Sequence, residues 1–242
     1  VHWHGVRLDN RFDGVEGVTQ PPVKPGQTFR SELFFPDAGI YWYHPHLRED
    51  MQQELGLYGA ILVEPRNPHY YNPADREEVL FLDDLRLGAG GIEPFAPSLV
   101  THALMGRYGN TFLVNWQGNY RLKARQGETL RLFLVNAANA RPFNFAVEGH
   151  PLKLVGGDSG KYEREALVEG VVLGPSERAI VEVSLAQPGR FKLLNATPDS
   201  SYALGVLEVE AAPSSGQAAE LHDNPDTLDS LEPFRAHFDR AS

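Results

Sequence analysis

Pro25–Gly39 reads PGQTFRSELFFPDAG, and Pro175–Gly189 reads PSERAIVEVSLAQPG. In each, a proline stands fourteen residues before a glycine, and an apolar run follows the glycine. Each half then closes on a glycine with a glutamate five places on, Gly59 to Glu64 in GAILVE and Gly205 to Glu210 in GVLEVE. These identities are weak singly, but in one order they describe a degenerate internal repeat, and a repeat fixes which positions correspond. Outward from these stretches, β-branched and aromatic runs bounded by Gly, Pro, Asn and Asp recur, while helical periodicity is scarce. The expected strands are Phe29–Phe35, Ile40–Tyr43, Ala60–Glu64, Val79–Leu85, Thr111–Asn115, Thr129–Asn136, Phe143–Glu148, Arg178–Leu185, Phe191–Asn195 and Ala203–Glu210. The fold class that follows is all-β, as tandem Greek-key β-sandwiches. Arg66–Arg76, broken by prolines, reads as a linker, and so does the polar, acidic stretch from Ala211 to Ser242. The expected layout is a first domain over 1–66, a second over 67–212 and a trailing linker over 213–242.

The composition narrows the function classes. With 242 residues the chain can bury a sizeable core. Acidic residues (32) outnumber Lys plus Arg (22), for a formal charge of −10, a sign that repels phosphate backbones, so no nucleic-acid partner is expected. No apolar run approaches the roughly 20 residues of a membrane span. There is no cysteine, which removes disulfides, thiolate metal sites and thiol nucleophiles. The chain opens on Val1-His2-Trp3-His4-Gly5 with neither an initiator Met nor a signal peptide, and is expected to be a fragment whose targeting segment is lost.

The repeat is most informative where its halves differ. Five and seven residues past Gly39 stand His44 and His46; past Gly189 stand Leu194 and Ala196. Aligning Gly5 with Gly149 sets His2 and His4 against Ala146 and Glu148. Histidines kept only for packing would have no reason to fill four matched positions in one copy and none in the other. In a strand, His2 and His4 project from one face, about 6.5–7 Å apart, with Trp3 on the other. Pro45 places His44 and His46 at a strand end or edge. An all-imidazole set suits copper, zinc or nickel better than calcium or magnesium. His150 has no partner at metal spacing and reads as a packed or capping residue; His69, His102, His222 and His237 read as surface residues, and Asp158 in GGDSG as a turn residue.

These residues resemble the multicopper oxidase family, the laccases and cuprous-ion oxidases, in a bacterial three-domain form. The resemblance lies in HWHG at His2–Gly5, Asp13-Gly14, TQPPVKPG at Thr19–Gly26, AGIYWYHPH at Ala38–His46 and GLYGAILVE at Gly56–Glu64. The second half is looser, through FLVNWQ at Phe112–Gln117, GETLRLFLVNAANAR at Gly127–Arg141 and LGPSERAIVEV at Leu173–Val183. The resemblance implies cupredoxin-like domains, the first lacking about 65–70 residues in front and the second binding no copper. It implies that His2 ligates a type 2 copper and that His4, His44 and His46 ligate a type 3 pair, half of a trinuclear copper centre. Asp13 is implied as an acid–base residue beside that centre. The other half, and the type 1 site that needs a Cys, would come from a C-terminal cupredoxin domain missing from this chain.

The resemblance thus implies an oxidase that couples one-electron oxidation of phenolic, arylamine or metal-ion donors to reduction of dioxygen to water, in the periplasm or outside the cell. The fragment alone is expected to be inactive. The alternative is a non-enzymatic copper-binding or structural cupredoxin protein, and a third reading is a zinc hydrolase with Asp13 as its carboxylate.

Overall fold

The computed structural model describes residues 1–95, 99–212 and 220–238. In chain order, β1 (His2–His4), β2 (Gly39–His44), α1 (Glu49–Gln52) and β3 (Gly59–Val63) come first. They are followed by β4 (Arg76–Leu85), β5 (Leu87–Gly88), β6 (Gly91–Ile92), α2 (Leu99–Met105), β7 (Thr111–Val114), β8 (Tyr120–Arg125), β9 (Thr129–Asn136) and β10 (Phe143–Val147). Then come β11 (Leu152–Gly157), β12 (Gly160–Val168), β13 (Val171–Leu173), β14 (Arg178–Ser184), β15 (Gly189–Ala196), β16 (Ser201–Glu210) and α3 (Pro225–Phe238). The first three strands form one antiparallel sheet, β1-β2-β3. From β4 onward a complete sandwich faces a sheet ordered β13-β10-β15-β16-β8 against one ordered β12-β11-β14-β9-β4-β7. Within it β4 runs parallel to β9, and β8 parallel to β16.

The six-stranded sheet explains how the halves join. In β9, TLRLFLVN, every residue after Thr129 is buried, so the alternation of a one-faced strand is absent. Leu130, Leu132 and Leu134 point into the sandwich with Leu122, Phe143, Phe145, Leu193 and Leu207. Phe133 and Val135, with Val155 and Ile180, point the other way and pack on Ile40 and Trp42 of β2. A strand covered on both faces reads as a continuous apolar run. Burying each such side chain contributes roughly 1.5–3 kcal/mol, so this second layer fixes the β1-β2-β3 sheet in place. Beside it, Arg131 pairs with Glu182 at 2.7 Å and Glu77 at 2.5 Å, and Lys153 with Glu182 at 2.6 Å. Buried charges persist only when paired in this way.

The repeat is visible in the ladders. Gly39 faces Val63 across β2–β3, and Gly189 faces Val209 across β15–β16. His2 faces His44 across β1–β2, and Ala146 faces Leu194 across β10–β15. The two copies therefore share strand order and register, with imidazoles on one rung and apolar side chains on its equivalent.

Several expectations change. Phe29–Phe35 forms no strand, and Phe34 is 69% exposed. Its counterpart, β14, takes ladder bonds from β9 and β11, and among the described residues no strand occupies either place beside Phe29–Phe35. β8, β11, β12 and β13 were not expected as strands. Within the stretch read as a trailing linker, α3 forms, and Asn224 just ahead of it donates from its side chain to the Tyr162 carbonyl of β12 at 2.6 Å.

Candidate metal centre

Both histidine pairs sit where β1 meets β2. The β1–β2 register puts His2 opposite His44 and His4 opposite Trp42, so these three imidazoles share one face of the sheet, and His46, just past β2, lines the same cavity. The ring centres lie 5.5 Å apart for His2 and His4, 5.4 Å for His2 and His44, 5.4 Å for His2 and His46, and 6.0 Å for His44 and His46. Ligand nitrogens of His2, His4 and His44 all fall within 4.8 Å of one another.

Neighbouring backbone orients the rings. The Nδ1–H of His2 donates to the Asp13 carbonyl oxygen at 2.8 Å, and that of His44 to the Pro45 carbonyl at 3.0 Å. Each bond occupies Nδ1 and leaves Nε2 with a free lone pair, the usual way a ligand histidine is set. His44 Nε2 faces His4 Nδ1 at 3.4 Å. Asp13 reaches His2 a second time, its Oδ1 lying 3.4 Å from Nδ1. Gly14 makes this possible: a Cβ there would fall 1.7 Å from the Val1 carbonyl oxygen, so no side chain fits in the turn that carries Asp13 back to His2. Burial, then the charge of Arg178, holds His4 down to about 4, and burial lowers His44 as well. Neutral imidazoles with converging lone pairs are the form a metal binds.

Arg178 was not singled out in the sequence. It is buried, its Nε donates to the Ile40 carbonyl at 3.3 Å, and its guanidinium pairs with Asp158 at 2.9 Å. Asp158 is therefore an ion-pair partner and more than a turn residue. The glycine of HWHG has its reason here: a Cβ on Gly5 would lie 2.1 Å from Arg178 Nη2. The histidines line a cavity of about 690 Å³ shared with Glu49, His102, Arg107 and Asn139. His102 is thus half-buried at the site, contrary to its surface reading, and its Nδ1 has no partner among the described residues. His222 is also tied down, 3.2 Å from Glu165. His69 is exposed, His150 packs edge-on to Phe191 with ring centres 4.3 Å apart, and the side chain of His237 lies outside the described residues. No signal in sequence spacing could have brought Arg178 or Arg107 to histidines more than sixty residues away.

Two multicopper oxidase family models match the chain, one over residues 1–68 and one over 82–212. The chain belongs to the multicopper oxidase family. Multicopper oxidase MmcO of Mycobacterium tuberculosis is 30% identical over 215 residues, covering 77% of this chain and 41% of the relative. Laccase-1 of Thanatephorus cucumeris is 32% identical over 173 residues, 65% of this chain and 30% of the relative. A crystal structure of a multicopper oxidase from Pseudomonas thermotolerans superposes with a TM-score of 0.79 at 32% identity, covering 93% of this chain and 54% of that one. The chain thus spans less than half of these curated relatives and about half of the solved structure. Its β-sandwich is cupredoxin-like, as in these multicopper oxidases, and membership implies copper as the metal. The four imidazoles fit that metal: a nitrogen-only set, two of its rings oriented by backbone carbonyls, suits copper.

Proposed function

We propose that this chain is part of a copper-dependent oxidase that withdraws single electrons from phenolic, arylamine or metal-ion donors and reduces dioxygen to water. The observation that carries the reading is the convergence of the His2, His4 and His44 nitrogens, with the His46 ring 5.4 Å from that of His2, in the copy of the repeat that keeps them. In this reading His2 holds a type 2 copper, and His4, His44 and His46 hold a type 3 pair. Bound there, copper would supply one-electron redox chemistry. The chain's own residues set that chemistry up: the Asp13 and Pro45 carbonyls fix two rings, Arg178 disfavours protonation of His4, and the Asp13 carboxylate serves as an acid–base group. The remaining ligands and a thiolate type 1 site would come from a further cupredoxin domain. The named relatives, oxidases and laccases, support catalysis over copper storage. Among the described residues no helix is long and apolar enough to cross a membrane; a location in the periplasm or outside the cell is part of the same proposal.

The test is metal content and dioxygen uptake of the full-length protein. His4→Ala and His46→Ala are expected to lose copper and uptake together, while His150→Ala keeps both. Copper loss in His150→Ala, or full copper in His4→Ala, would overturn the assignment. Zinc in place of copper in the protein as isolated would return the hydrolase reading.

A further inference from the structure

We infer that Asp50–Tyr58, the strap that continues from His46, is clamped by the second domain, and that Arg107 and Asn139 are positioning residues for His44 and His46. The inference rests on reading those imidazoles as copper ligands. After His46 the chain turns through Arg48, whose backbone is left-handed at φ 47°, into the four-residue α1. A single turn of helix does not hold itself in water. The strap's anchors come from across the domain boundary. Asn139 Nδ2 donates to the Asp50 carbonyl at 2.7 Å and to Glu54 at 3.3 Å. Gln53, 6% exposed, donates to the Ala137 carbonyl at 2.7 Å. Glu54, 3% exposed, forms an ion pair with Arg107. The Tyr58 hydroxyl donates to Asp83 Oδ2 at 2.8 Å.

Backbone strain on the other side points the same way. Asn115 and Trp116 both adopt positive φ, 48° and 64°, a conformation costly for non-glycine residues. The turn they make lays the Trp116 indole on Gly56, where a Cβ would fall 2.2 Å from the ring. Apolar residues would fill the same interface at least as stably. Buried Gln53, Glu54, Arg107 and Asn139 instead select one seating of the strap, because a shifted strap would leave charge and amide groups unpaired. That seating begins four residues after His46, so the second domain, which carries none of the four imidazoles, sets where the second pair stands.

The experiment uses the full-length protein. Hydrogen exchange over residues 44–58 is measured on the metal-free form, and copper per chain after reloading with copper(II). Arg107→Ala and Asn139→Ala are expected to speed exchange over 47–58 by about tenfold and to lower retained copper, with Arg107→Lys recovering part of both. Val183→Ala, in the sandwich core, is the control for general destabilisation: it is expected to melt earlier with wild-type exchange in the strap and wild-type copper. Unchanged exchange in Arg107→Ala overturns the clamp, and faster exchange with undiminished copper overturns the positioning role. Should the wild type itself retain no copper, the ligand reading fails separately, and the exchange measurement still decides the clamp.

Discussion

Two carboxylates illustrate how burial separates roles. Asp13 uses its backbone carbonyl to orient His2 and keeps its side chain 28% exposed. Asp13→Asn preserves the carbonyl, so the full-length protein is expected to keep its copper while dioxygen consumption slows. An oxygen-electrode rate equal to wild type would leave the carboxylate without a role. Asp83 is buried between Tyr58 and Asp84, whose own charge is met by Arg141 at 2.6 Å. Burial raises Asp83 from 3.8 to about 8. A carboxyl raised in the folded state holds its proton while the unfolded chain has lost it, so its contribution is full below the unfolded value and is lost as pH rises through the folded one. Wild-type stability should therefore carry a downward slope from about pH 4 to pH 8. Asp83→Asn should lack that slope, so its melting temperature should gain on wild type across the window; parallel melting curves would count against it.

At the scale of elements, β9 serves two cores, and its neighbouring residues separate them. Leu132→Ala opens a cavity inside the sandwich at a cost of about 2–5 kcal/mol. Phe133→Ala removes the ring that Ile40 and Trp42 pack on, at about 3–5 kcal/mol. Far-ultraviolet dichroism and tryptophan fluorescence should melt together in Leu132→Ala, but in Phe133→Ala fluorescence should change first as Trp42 is uncovered. Coincident transitions in both would mean that the halves unfold as one unit. The same elements show what the sequence made legible. The apolar strands of the sandwich stood out because their runs are bounded by turn residues. β8, YRLKAR, did not, although its burial alternates with period two, because Arg and Lys on the outer face dilute the signal. Phe29–Phe35 has strand composition but no ladder partner, and a ladder lies outside any single segment. The four histidines were legible because the repeat supplied its own control. Arg178, His102 and Arg107 join the site through tertiary packing alone.

For the whole molecule, the distribution of ligands matters more than their number. With no cysteine anywhere, the 242-residue chain loaded with copper is expected to show no intense blue absorption and no dioxygen-dependent dye oxidation. Dye turnover by the pure chain would overturn the division of labour proposed above. The buried charges beside β9 also bring distant segments to one spot. Arg131 donates to the Asn72 carbonyl ahead of β4, and Lys153 Nζ to the Glu220 carbonyl beyond β16, at 3.3 Å. The segments entering and leaving the sandwich are thus tied to the same outer face, which the first sheet also uses.

The shared register of the two copies makes the second a ready template for transplantation. Ala146 stands opposite Leu194 as His2 stands opposite His44, and Gly149 has a φ of 71° where Gly5 has 80°. Histidines written at Ala146, Glu148, Leu194 and Ala196 would stand on a backbone ladder that already brings such positions face to face, without Arg178, Asp13 or the strap around them. Whether a metal then seats there separates what the ladder contributes to ligand convergence from what its surroundings add.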